Sequence, residues 1–103
     1  MEILDARSFR HERPWGARDI AAIENATVRL HWTDTAYHWH VNEVPEVFVV
    51  LDGLVRMHFR NNGREDCVEL TPGDVFRADA GDEHYAEPIG EARILVIEQR
   101  GSE

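Results

Sequence analysis

The chain has 103 residues, 43% of them hydrophobic and 30% charged, which suits one globular domain and excludes a disordered segment. Its 20 acidic and 11 basic side chains leave a formal charge of -9, which argues against a nucleic-acid backbone or an anionic membrane as partner. A single cysteine, Cys67, excludes an internal disulfide, and no apolar run suits a membrane span or a secretion signal, so a cytoplasmic location is expected.

Residues 1–25 read as an irregular or strand-forming arm. The best helical stretch, Asp19–Ile23, is short. In a homo-oligomer such an arm could pair with a neighbouring sheet edge, and a domain this small gains from a homodimer interface. Ala26–Trp32 alternates, with Val28, Leu30 and Trp32 on one face and Arg29 and His31 on the other. Tyr37–Val41 reads as a second strand. Glu46–Leu51 is a continuous apolar run behind its leading carboxylate, as expected of a strand covered on both faces. Asp52-Gly53 then predicts a tight hairpin turn.

From Leu54 to Arg60 the alternation is clear: Val55, Met57 and Phe59 point in, Arg56, His58 and Arg60 point out. Asn61-Asn62-Gly63 is a turn. Cys67–Leu70 reads as a short strand that holds the thiol at least half-buried. Thr71–Asp74 turns the chain again, Val75–Ala78 is a strand, Ala80–Asp82 a turn, and His84–Ala86 a short strand. Ala92–Gln99 closes the domain. Short strands at close spacing, separated by Asp-Gly, Asn-Gly and Pro-Gly turns, predict an all-β sandwich or barrel. The barrel spans residues 26–98, and residues 99–103 form a tail.

The chemistry is carried by His38-Trp39-His40, Glu46 and the distant His84. Alternation places residues 38, 40 and 42 on one face of a strand. Neutral imidazoles and a carboxylate suit a divalent first-row metal. A carboxylate heading a buried apolar strand is costly unless a cation or a donor meets it. His11, His31 and His58 read as surface residues, and Trp32, Trp39 and Phe48 as core or rim packing. Arg77 and Tyr85 flank the stretch that carries His84 and could reach a ligand.

These residues resemble the two motifs of the small single-domain cupins. Glu46 is followed after six residues by Gly53, and Gly73 precedes Asp79-Ala80-Gly81, two residues and His84. The chain departs from the family pattern at Asp79 (for Pro), at Pro88 (for Asn), and in the five residues between His40 and Glu46, one more than the motif allows. Two ligand sets therefore stay open. One is His38, His40, Glu46 and His84. The other, anchored on Trp39, is His40, Asn42, Glu46 and His84, with the weaker amide in the second place. The resemblance implies a double-stranded β-helix, or jelly-roll barrel, that holds Fe, Mn, Ni or Zn and leaves positions for a small-molecule ligand. It is compatible with a binding protein, with a metal-dependent dioxygenase or sugar-phosphate isomerase, and with a sensor module.

Overall fold

The computed structural model describes residues 1–100. After a single 3-10 turn at Ala6–Ser8 come seven strands: β1 (Gly16–Ile23), β2 (Ala26–Thr33), β3 (His40–Val41), β4 (Glu46–Asn61), β5 (Arg64–Leu70), β6 (Val75–Ala78) and β7 (Glu83–Gln99). All pairings are antiparallel. Among the described residues no helix is long and apolar enough to cross a membrane.

Two strands set the architecture. β4 has 16 residues and β7 has 17. Straight, each would span roughly 50–55 Å, yet the longest extent of the molecule is 44 Å. Both strands bend and pass through two layers. The N-terminal part of β4 pairs with β6 and with the C-terminal part of β7, which in turn pairs with β2 and, beyond it, β1. The C-terminal part of β4 pairs with β5 and with the N-terminal part of β7, which also carries β3. The result is the expected double-sheet jelly roll.

The corner lies at Asp52–Leu54. Register shifts fall on both sides of Asp52, so Asp52-Gly53 makes a bulge inside one long strand rather than the expected hairpin turn. The residues that suit a turn suit a bulge for the same reason: Gly53 has φ +88, and an added Cβ would lie 2.3 Å from the Glu91 carbonyl oxygen. The extra residue also switches parity. Phe48 and Val50 point inward before the corner, Val55 and Met57 after it, and they meet Ala86, Ile94 and Val96 of β7 in the core. The final strand is likewise continuous through Gly90, where two short strands were expected.

Within the first 25 residues lies β1. β1 pairs with β2 along its length, around a bulge between Asp19 and Ala21. Ahead of it, the arm crosses the outer face of β7: Arg93, 6% exposed, donates through Nε to the Phe9 carbonyl at 2.9 Å and through Nη1 to Asp52 Oδ2 at 3.0 Å. Glu91 Oε1 accepts from both Arg10 Nη1 and Trp32 Nε1, each at 2.9 Å. These bonds explain how Trp32 is buried on the outer face of β2. Cys67 is exposed, contrary to expectation, because β5 is an edge strand with only Leu70 buried.

Gly53→Ala is expected to lower the urea midpoint at least twice as much as Gly73→Ala. At Gly73 (φ +98) a Cβ meets nothing within 4 Å, so the cost is backbone strain alone, on the order of 1–2 kcal/mol. At Gly53 the carbonyl clash adds to it. Equal losses would show that the corner is not close-packed.

Candidate metal centre

The centre forms between the two sheets. His40 on β3 and His84 on β7 are direct cross-strand partners, and their ring centroids lie 4.3 Å apart. Glu46 opens β4 on the other sheet, where its register partners are Ala78 and Glu98. Across the gap, Glu46 Oε1 is 3.7 Å from His84 Nε2. One potential ligand atom from each of His40, Glu46 and His84 lies within 4.8 Å of the other two. Donors on a single ion at about 2.0–2.2 Å stand at most roughly 4.4 Å apart, so a contraction of a few tenths of an ångström closes this group on a cation.

Both imidazoles are oriented from outside the group. His40 Nδ1 lies 3.2 Å from the His38 carbonyl oxygen, which fixes Nδ1 as the donor and leaves the lone pair on Nε2. His84 Nε2 lies 2.5 Å from Asn42 Oδ1. Asn42 is itself 5% exposed and fully held: Nδ2 donates to the Val44 carbonyl at 3.2 Å, its N–H to Asp82 O at 2.9 Å, and its carbonyl accepts from Gly81 N–H at 2.7 Å. The tight turn through Gly81 thus delivers both Asn42 and His84. His84 Nδ1 is buried with no hydrogen-bond partner among the described residues. An unpaired buried nitrogen and a buried carboxyl are each costly without a cation or a donor, and a cation suits both.

The electrostatics agree. Burial, together with the hydrogen bond and charge of Glu98, pushes the Glu46 carboxyl up to about 8. Burial and the charge of His40 push His84 down to about 4, against the opposing pull of Asp82. Without a cation both groups resist charging. The donor set of neutral imidazoles and one carboxylate therefore fits a divalent transition ion.

His38 lies outside this group of three. Its ring is exposed and stacks on Tyr37 at 4.1 Å, while its backbone carbonyl orients His40. Asn42, its competitor, is buried against His84. Arg77 and Tyr85 point away from the interior, since their register partners Val47 and His58 alternate with the inward residues of β4.

Comparison with known proteins now bears on the fold and the group together. The cupin-domain family matches residues 26–98. The chain belongs to the cupin family. Among solved structures, a cupin-2 domain protein from Shewanella frigidimarina is 26% identical over 87% of this chain and 85% of its own, with a TM-score of 0.78. Hydroquinone 1,2-dioxygenase from Sphingomonas sp. TTNP3, with 4-hydroxybenzoate bound, has the same fold (TM-score 0.78, 17% identity, 87% of this chain and 29% of that one). So does hydroquinone 1,2-dioxygenase PnpCD in complex with Fe3+ (TM-score 0.78, 15% identity, 88% and 29%). No curated protein matches the chain.

In this cupin the group opens into a cavity of about 270 Å³, whose wall includes residues that had no place in the motif: Trp15, Arg29, His31 and Glu98. His31, expected at the surface, is half-buried, and its Nδ1 lies 2.9 Å from the Trp15 carbonyl. The signal lay in β2 but pointed the other way. His31 and Arg29 pair with Ile94 and Val96, so the polar face of β2 looks into the barrel.

The two shifted groups act oppositely on the stability of the metal-free protein. His84, whose folded pKa is depressed, loses its contribution as pH falls from 6.5 towards 4. Glu46, whose folded pKa is raised, loses its contribution as pH rises from 4.5 to about 8. Above pH 6.5 only Glu46 still acts, so urea stability is expected to fall from pH 6.5 to 8, and this fall should be absent in Glu46→Gln. A fall of equal size in that variant would assign it elsewhere.

Proposed function

We propose that this cupin binds one divalent transition metal through His40, Glu46 and His84 and presents it to a small molecule in the adjoining cavity. The observation that carries the reading is the convergence of three buried or half-buried donors, with one nitrogen of each imidazole already held from outside. Orientation of a ligand histidine through its second nitrogen is the usual accompaniment of metal binding. Asn42 serves as the positioning residue for His84, and His38 contributes through its backbone.

Two imidazoles and one carboxylate make a smaller set than either four-membered alternative, and leave three positions of an octahedral ion open. Such a set suits iron(II) best, with manganese, nickel and zinc as competitors. The bound ion would supply Lewis-acid or oxygen-binding chemistry to a ligand at those positions. The protein's own part is to hold the donors, keep bulk water from Glu46 and shape the space beside it. Dioxygenation is favoured over sugar-phosphate isomerisation, because among the described residues Arg29 is the one permanently cationic side chain in the cavity wall, and a phosphate cradle requires more than one such donor.

A homodimer in the cytoplasm completes the reading. The exposed face of edge strand β1, with Ile20 and Ile23, supports self-association, and an unpaired, exposed Cys67 suits a reducing compartment.

Elemental analysis after anaerobic iron loading is expected to give one metal per chain. His40→Ala and His84→Ala should each abolish retention through a desalting column. His38→Ala should change affinity less than threefold, and Asn42→Ala should weaken it about 10- to 100-fold. Full metal retention in both His40→Ala and His84→Ala, or none in the parent protein, would overturn the proposal.

A further inference from the structure

The cavity continues beyond the three donors, and its far wall has a composition of its own. β2 lies two strands from the N-terminal part of β4 in the same sheet, and Arg29 aligns through Val96 with Phe48, two residues beyond Glu46. Asp19 Oδ1 accepts from Arg29 Nε at 2.8 Å and so fixes the guanidinium, whose two Nη groups carry four further donors. Asp19 lines an outer groove that Arg29 and Glu98 border as well, so Arg29, 44% exposed, stands between that groove and the cavity. Between Arg29 and the donor group the wall is aromatic: Trp15, Tyr37 and Phe48.

Trp15 is placed at some cost. It has φ +62, a region that bulky side chains enter only under constraint. The constraint is visible: Trp15 Nε1 donates to the Thr35 carbonyl at 2.8 Å, its own carbonyl meets His31, and its ring stands edge-on to Tyr37 with centroids 5.3 Å apart. The ring is thus held rigid at the cavity before any ligand arrives. The volume of about 270 Å³ compares with an apolar cavity of about 150 Å³ that accepts benzene, so one ring with a polar group at either end fits.

We infer that the cavity recognises a small aromatic carboxylate, its ring against Trp15, Tyr37 and Phe48 and its carboxylate on Arg29. The inference rests on the metal reading only in taking this cavity as the ligand site. A guanidinium offers a carboxylate two parallel hydrogen bonds, and a neutral amide of the same shape cannot use them in that way.

The test is calorimetric titration with benzoate and with its neutral isostere benzamide, on zinc-loaded and on metal-free protein, with zinc content measured separately. Benzoate is expected to bind at least tenfold more tightly than benzamide. Arg29→Gln should erase that preference without altering zinc content, Arg29→Lys should restore part of it, and Trp15→Ala should weaken both probes together. Benzoate binding that survives unchanged in Arg29→Gln would put the carboxylate elsewhere and overturn the inference, as would equal affinity for the two probes or no binding of either to zinc-loaded protein. If zinc fails to bind while the Arg29-dependent preference persists in metal-free protein, the metal reading falls and the inference stands.

Discussion

The bulge at the corner of β4 decides which side chains enter the barrel. A strand that continued through Asp52–Leu54 in register would keep even-numbered residues inward throughout. The inward set would then hold Arg56 and His58 in place of Val55 and Met57, which are 0% exposed. One added residue, at a position only glycine fills without a clash, reconciles a carboxylate at the inward end of the strand with an apolar core further on. The same bend carries Glu46 onto one sheet and brings His84, on the other arm of the β7 pairing, across from it. Core and candidate centre thus depend on one corner, where β4 and β7 are both irregular, and the centre lies between layers rather than on either.

Burial with incomplete compensation is the second organising fact. Glu46 and His84 are 6% and 2% exposed, and each departs from its ordinary protonation behaviour in the direction that suppresses charge. A core could have used apolar side chains of similar volume at lower cost, since replacing buried ionic groups by packed hydrophobic ones is often stabilising. The surrounding bonds are also directional: a carbonyl on one nitrogen of His40, an amide oxygen on one nitrogen of His84. A stability role asks only that each polar atom be satisfied, and His84 Nδ1 is not. The proposed cation would take up that nitrogen.

Much of this was legible in the sequence for physical reasons that can be traced residue by residue. Glu46, Gly53, Gly73, Gly81 and His84 carry the spacing by which the chain resembles the cupins, and the jelly-roll barrel followed from that resemblance, while the all-β class followed from short alternating strands between turn residues. His40, Glu46 and His84, which the fold gathers, all stood in that pattern. The corner was misread because Asp-Gly satisfies a hairpin and a bulge equally, and only the pairing partner distinguishes them. β2 was misread because alternation reveals two faces without saying which one looks inward. Trp32, on its apolar face, bonds Glu91, which Arg10 of the arm also meets, a long-range arrangement that no local pattern encodes. The competition between His38 and Asn42 was open because both share a face of the chain. What separates them is the short β3: only His40 and Val41 pair, so the chain leaves the sheet at His38 and turns inward at Asn42.

Position 42 also narrows the chemistry. The amide there satisfies four hydrogen-bonding relations at once, two through its backbone and two through its side chain. An imidazole in its place would have to give up the contact with Val44 or with His84 in order to face an ion. The chain has thus traded a strong potential donor for a fixed acceptor behind a neighbouring donor. A metal held by fewer protein groups keeps more open positions, and the cavity wall that faces those positions is the part that differs from the motif: a constrained Trp15, a fixed Arg29, and a Glu98 set against Glu46. On the proposed reading, specificity resides in β2 and in the arm that precedes it, while the motif residues supply the centre that a ligand would approach.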